Sequence, residues 1–221
     1  GLKKMKGSAL TPAQMLSMEK SIMPQAYVEK FSLAQFSVPP LSPPLVINTF
    51  KNCDVTYIDD VNDYFGRVKK PYLQKRDNLN LYLGNKKGQL VKEAPDAYGV
   101  KGEPHYYFIH AYNCIYECTY CYLQGYFHSP DLVLFLNHED IGKEITRITN
   151  ENLKLNPERS TWFHAGEYSD SLALSHITGE IPYYFELFKS LPQARLEFRT
   201  KSANVRPLLE MTPLPNIITS F

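Results

Sequence analysis

The 221-residue chain is 43% hydrophobic and 21% charged, a globular rather than a disordered composition. A net charge of +1 gives no general argument for nucleic-acid binding. No apolar run approaches the ~18 residues of a membrane span and no secretory leader opens the chain, so a cytoplasmic protein is expected.

The neutral total hides an asymmetry. Residues 1–100 carry 14 basic against 9 acidic side chains, and residues 101–221 carry 10 against 14. Arg67, Lys69, Lys70, Lys75 and Arg76 form a run without an acid, which could grip phosphates or be a solvated loop around Pro71. Residues 1–100 read as an N-terminal α+β extension. Thr11-Pro12 offers a helix start, and residues 38–44 read as a polyproline linker. Short strands are expected at Leu45–Ile47 and Val55–Ile58. Leu79–Leu83 alternates, and Gln89–Val91 is expected to pair back on it as a hairpin around Gly84–Gly88.

From residue 101 strands and helices alternate. Tyr106–Ala111 reads as a buried parallel strand. Residues 139–150 are helical by periodicity, with Ile141, Ile145 and Ile148 on one face. Thr161–His164 is the next strand, followed by a helix from Pro182 to Leu191. Arg195–Arg199 makes a third strand, residues 203–210 a short helix, and Asn216–Ser220 a fourth strand. Such alternation builds βαβ units in a parallel sheet or part of a barrel, whose ligands bind at the carboxyl ends of strands. The most distinctive polar segments follow three of these strands. The chain starts at Gly1 and stops at Phe221 within the fourth, so part of a longer barrel is expected.

Three of the four cysteines crowd into eight residues. Cys114, Cys118 and Cys121 have the spacing C-x3-C-x2-C. Three thiolates on one loop can hold three irons of a cubane cluster and leave the fourth open. A structural zinc site needs four ligands, for which His110 or His128 could serve as the fourth. Cys53 reads as a buried small hydrophobe. His164 and His176 read as structural, and the tyrosines at 106, 107, 112, 116 and 126 as packing.

Residues 114–124, Cys-Ile-Tyr-Glu-Cys-Thr-Tyr-Cys-Tyr-Leu-Gln, resemble the radical S-adenosylmethionine (radical SAM) superfamily and, within it, the spore photoproduct lyase family. Ser169-Asp170, His176-x-Thr178-Gly179 and Arg199-Thr200-Lys201-Ser202 match that family's pattern in order, over about residues 80–221. The resemblance implies a partial parallel (β/α) barrel of the radical SAM type, truncated at its C-terminal side. It implies a 4Fe-4S cluster on Cys114, Cys118 and Cys121, with S-adenosylmethionine (SAM) on the fourth iron. Reductive cleavage of SAM would give a 5′-deoxyadenosyl radical that takes a hydrogen from a thymine lesion in UV-damaged DNA. Lys201 would meet the SAM carboxylate, Ser169 would contact SAM, Tyr120 would lie beside the adenine, and Tyr122 would pass a hydrogen atom during turnover. A one-electron reductant such as flavodoxin or ferredoxin is implied.

One position departs from the family. Two residues before the Ser-Asp pair the family holds a hydrogen-donating cysteine, and here stands Glu167. A carboxylic O–H bond is too strong to donate a hydrogen atom to a carbon radical. Ala165-Gly166-Glu167 instead resembles an element that binds the SAM amino group. Tyr168 or Tyr122 could serve as donor. Two alternatives stand beside photoproduct repair: the same radical chemistry on another substrate, and a non-catalytic zinc module touching DNA through residues 67–76.

Overall fold

The computed structural model describes residues 46, 47, 50, 53–66, 79–95 and 102–221. The expected helix start at Thr11-Pro12, the proline-rich linker and the basic run 67–76 lie outside them.

Two sheets carry the fold. The larger has strands β2 (Val91–Glu93), β3 (His105–Phe108), β6 (Thr161–Ala165), β7 (Ala194–Arg199) and β8 (Ile217–Ser220) in that spatial order. From β3 to β8 every pairing is parallel, and β2 caps the β3 edge antiparallel. The smaller sheet has β1 (Leu81–Gly84), β5 (Leu132–Phe135) and β4 (Ala111–Tyr112) in the order β1-β5-β4. Beside a 3-10 turn at Val61–Asp63, the described residues include the helices α1 (Leu123–Tyr126), α2 (His138–Leu155), α3 (Ser175–Thr178), α4 (Ile181–Lys189) and α5 (Arg206–Leu209). A mixed α/β fold with a parallel sheet is therefore what the sequence builds. Among the described residues no helix is long and apolar enough to cross a membrane.

The residues explain these elements. In α2, Ile141, Ile145 and Ile148 are buried at helical spacing, Glu139 and Asp140 face the positive N-terminal end, and Lys154 sits in the last turn. Pro182 opens α4, where its missing N–H is harmless. In β7, buried and half-buried residues alternate, so Leu196 and Phe198 enter a core with Phe108, Phe163, Phe188 and the isoleucines of α2. Gly142 lets α2 and α4 approach closely, since a Cβ there would stand 1.9 Å from the Tyr183 hydroxyl oxygen.

Several expectations are corrected. The hairpin is absent: β1 pairs in parallel with β5, while β2 joins β3 in the other sheet. The single strand expected over 106–111 is two strands, because the backbone changes partners after Phe108. The Ile109 N–H donates to Leu90, while the His110 carbonyl accepts from Phe135. Val46 and Ile47 have helical backbone, and residues 55–58 form no strand, with Tyr57 91% exposed. Cys53 is exposed rather than buried. Strand β5, buried at all four positions, adds to the expected set; its apolar run is too short to show a period.

Candidate active site

Three segments leaving β4, β6 and β7 converge at one end of the molecule. The cysteine loop follows β4. Asn113 takes left-handed backbone (φ 63°), which Asn tolerates better than most residues. Its buried amide donates to the carbonyls of Ser129 (2.6 Å) and Asp131 (2.7 Å), clamping the base of the loop. Within the loop the Cys121 N–H donates to the Cys118 carbonyl (2.9 Å), which also accepts from the Gln124 side chain (2.7 Å). The Tyr116 N–H points at Cys114 Sγ (3.4 Å). All three thiols are half-buried and free. Burial pushes the Cys114 thiol up to about 11, with Asp170, Cys121 and Cys118 adding repulsion against its thiolate. A bound cation would reverse that balance.

The donor set fits a thiolate-held cluster. Among the described residues no three Cys, His, Asp or Glu side chains gather closely enough to hold a single metal ion. A cubane does not ask for that, because each thiolate binds a different iron. Of the two histidines that could complete a four-ligand zinc set, His110 faces Ser169 Oγ through Nε2 (3.3 Å) and His128 is exposed.

The second segment follows β6. Gly166 has φ 85°, and a Cβ there would stand 2.6 Å from Ser171 Oγ and 2.9 Å from the Arg199 carbonyl, so only glycine fits. The turn puts half-buried Glu167 beside Arg199 (Oε2 to Nη1 3.6 Å) and its backbone carbonyl under the Tyr122 hydroxyl, which donates at 2.5 Å. Burial raises the Glu167 carboxyl, opposed by His164, Lys92 and Tyr122. Burial also raises the Tyr122 phenol, with the Glu167 charge adding to it. Tyr120 is 77% exposed and lies beside Cys118, which raises its phenol.

Asp170 is the hub, a role its sequence context concealed. Its Oδ1 accepts from the N–H groups of Leu172 and Ala173 (both 2.9 Å) and from the Thr200 hydroxyl (2.7 Å). Its Oδ2 accepts from the Lys201 N–H (2.6 Å). One carboxylate therefore caps its own turn and fixes the third segment, 200–202, that carries exposed Lys201.

Behind these segments lies a narrow cleft lined by Cys114, His110, His138, Ser169, Asp170 and Glu180 among others. Burial lowers His110 to about 4 despite Asp170, and lowers His138 to about 3, with His110 adding to the effect. Both imidazoles are neutral near pH 7. Burial raises Glu180 to about 7. His164 is structural, held by Glu197 Oε2 and by His105 Nδ1 (2.9 Å). Exposed His176 pairs with the Asn204 amide (2.9 Å).

The family profile for spore photoproduct lyase matches residues 73–216. A spore photoproduct lyase complexed with dinucleoside spore photoproduct has a similar fold, with TM-score 0.53 at 24% identity over 63% of this chain. A mutant spore photoproduct lyase with bound AdoMet and dinucleoside spore photoproduct gives 0.52 at 24% identity over the same share. This chain spans 38% of the length of each of those proteins. No curated protein matches. The match over residues 73–216 places the chain in the spore photoproduct lyase family.

Proposed function

We propose that residues 101–221 are the cluster- and SAM-binding part of a radical SAM barrel, and residues 1–100 an extension whose strands β1 and β2 add to it. In this reading Cys114, Cys118 and Cys121 hold a 4Fe-4S cluster, Lys201 and Ser169 bind SAM, Glu167 meets its amino group, and Tyr120 lies beside its adenine. When bound, cluster and SAM supply reductive carbon–sulfur cleavage and a hydrogen-abstracting radical; the protein supplies orientation and exclusion of water. The carrying observation is the convergence of the three strand-end segments, joined through Asp170 and through the Tyr122–Glu167 bond. The substrate class is a thymine photolesion in DNA, and the electron comes from a protein such as flavodoxin or ferredoxin. The place of action is the cytoplasm.

Anaerobic reconstitution with iron and sulfide tests this. A brown, oxygen-sensitive chromophore is expected, together with 5′-deoxyadenosine once SAM and dithionite are added; zinc without iron or sulfide sinks the reading. Glu167 carries a second reading, the same chemistry on another substrate, because its carboxyl replaces the family's hydrogen-donating cysteine. Tyr122, whose hydroxyl already donates to the Glu167 carbonyl, is the hydrogen-relaying residue in the first reading, with Tyr168 as a second candidate. UV-damaged DNA incubated with SAM and dithionite separates the two: conversion of the lesion back to two thymines in the strand favours repair, and 5′-deoxyadenosine formed with the lesion unchanged favours another substrate.

A further inference from the structure

Tyr116 lies between the first two cysteines, and its side chain leaves the loop. Its hydroxyl donates to Ser202 Oγ (2.8 Å), 86 residues away. Ser202 is buried, and its N–H donates to Thr200 Oγ1 (2.8 Å). The Thr200 hydroxyl donates to Asp170, which also takes the Lys201 N–H. At the other end the Tyr116 N–H points at Cys114 Sγ. A continuous hydrogen-bonded line therefore runs from a cysteine thiol to the backbone from which Lys201 projects. Asn204 secures it from outside, donating its N–H to Ser202 Oγ (3.0 Å) and its amide to the Leu172 carbonyl (2.9 Å).

We propose that Tyr116 is a positioning residue, which sets the distance between the cysteine loop and Lys201 so that one SAM molecule can meet both. The inference rests on the reading of the site given above. Cluster and lysine must both hold the same small molecule, but they stand on segments far apart in the chain. The backbone bonds within the eight-residue cysteine loop do not reach the segment that carries Lys201, whereas the phenol of Tyr116 does, through Ser202. Phenylalanine at 116 keeps the ring and loses that single bond.

The test uses the anaerobically reconstituted chain and reads SAM affinity by equilibrium dialysis, beside iron and sulfide content. Tyr116→Phe is expected to keep its iron and sulfide and to bind SAM about three- to ten-fold more weakly, the effect of one lost hydrogen bond. Lys201→Ala alone weakens binding. In the Lys201→Ala background Tyr116→Phe is expected to add nothing, because there is no lysine left to position. A merely structural role would weaken binding in both backgrounds and would overturn the inference. So would unchanged affinity in Tyr116→Phe, or loss of its iron, which would make the tyrosine a scaffold of the cluster loop. If the parent chain itself holds no iron or binds no SAM, the reading of the site fails first, and the inference falls with it.

Discussion

Glu180 gives the sharpest test of the site's electrostatics. Its carboxyl is 4% exposed at the back of the cleft, accepts a hydrogen bond from Thr178, and is pushed by burial from the ordinary 4.5 up to about 7. Below pH 4.5 the acid is protonated in both folded and unfolded chains, and stability does not depend on it. Between 4.5 and 7 the unfolded chain releases the proton while the folded chain keeps it, so stability falls as pH rises. Above 7 both forms are ionised and the loss levels off. A tenfold change in proton affinity is worth about 1.36 kcal/mol, so the full loss is roughly 3 kcal/mol. Glu180→Gln keeps the shape of the protonated acid and cannot ionise. Urea denaturation followed by Trp162, the single tryptophan, measures stability from pH 5 to pH 8. The difference between variant and parent should grow by about 2–3 kcal/mol across that range in favour of the variant. His110 and His138 line the same cleft and Tyr184 pairs with His138, but these groups titrate in both proteins and largely cancel in the difference. A difference that stays flat from pH 5 to pH 8 would show that Glu180 is not held protonated, and would refute the reasoning.

The buried histidines act in the opposite direction. Their folded pKa values lie below the ordinary 6.5, so their contribution is whole above that pH and is lost as pH falls toward 4, seen as a declining urea midpoint in the Glu180→Gln protein. Gly166→Ala should lose about 2–4 kcal/mol of stability, since φ 85° disfavours a side chain and the new Cβ meets the Arg199 carbonyl; a loss under 1 kcal/mol would show that the turn relaxes freely. Alanine at Cys114, Cys118 or Cys121 should abolish iron and sulfide uptake, whereas Cys53→Ser should leave it intact; equal loss in all four would count against the three-thiol assignment. Ile145→Ala, at a fully buried position, should lower stability by about 2–5 kcal/mol in urea titration, and a smaller loss would mean that the core closes over the gap.

What was legible in the sequence is what local pattern determines. The isoleucines of α2 repeat every three or four residues because one face must be dry, and all three are buried. β7 alternates because one side meets the helices. The three cysteines stand out because their C-x3-C-x2-C spacing within one loop is a local pattern. Strand pairing is not local. Leu81–Gly84 and Val91–Glu93 look like two halves of a hairpin, yet each finds its partner in a different sheet, because β5 and β3 offer open edges that a short strand pair alone could not replace. Nothing within residues 79–93 encodes that choice.

The same division runs through the site. Cysteine, glutamate and lysine at strand ends stand out by residue type. Asp170 and Tyr116 do not: the aspartate enters only as one member of the matched Ser169-Asp170 pair, and the tyrosine reads as packing although its hydroxyl reaches Ser202. Asp170 caps its own turn through Leu172 and Ala173. Its other two bonds, to residues 30 and 31 positions on, exist only because β6 and β7 lie side by side in parallel. A parallel pair delivers both strand ends to the same edge of the sheet, so a side chain just past one strand can grip the backbone just past the next. In this family member the sheet, more than the motif, decides which polar residues act together. The residues that join the motifs are those whose identity looks most ordinary in sequence.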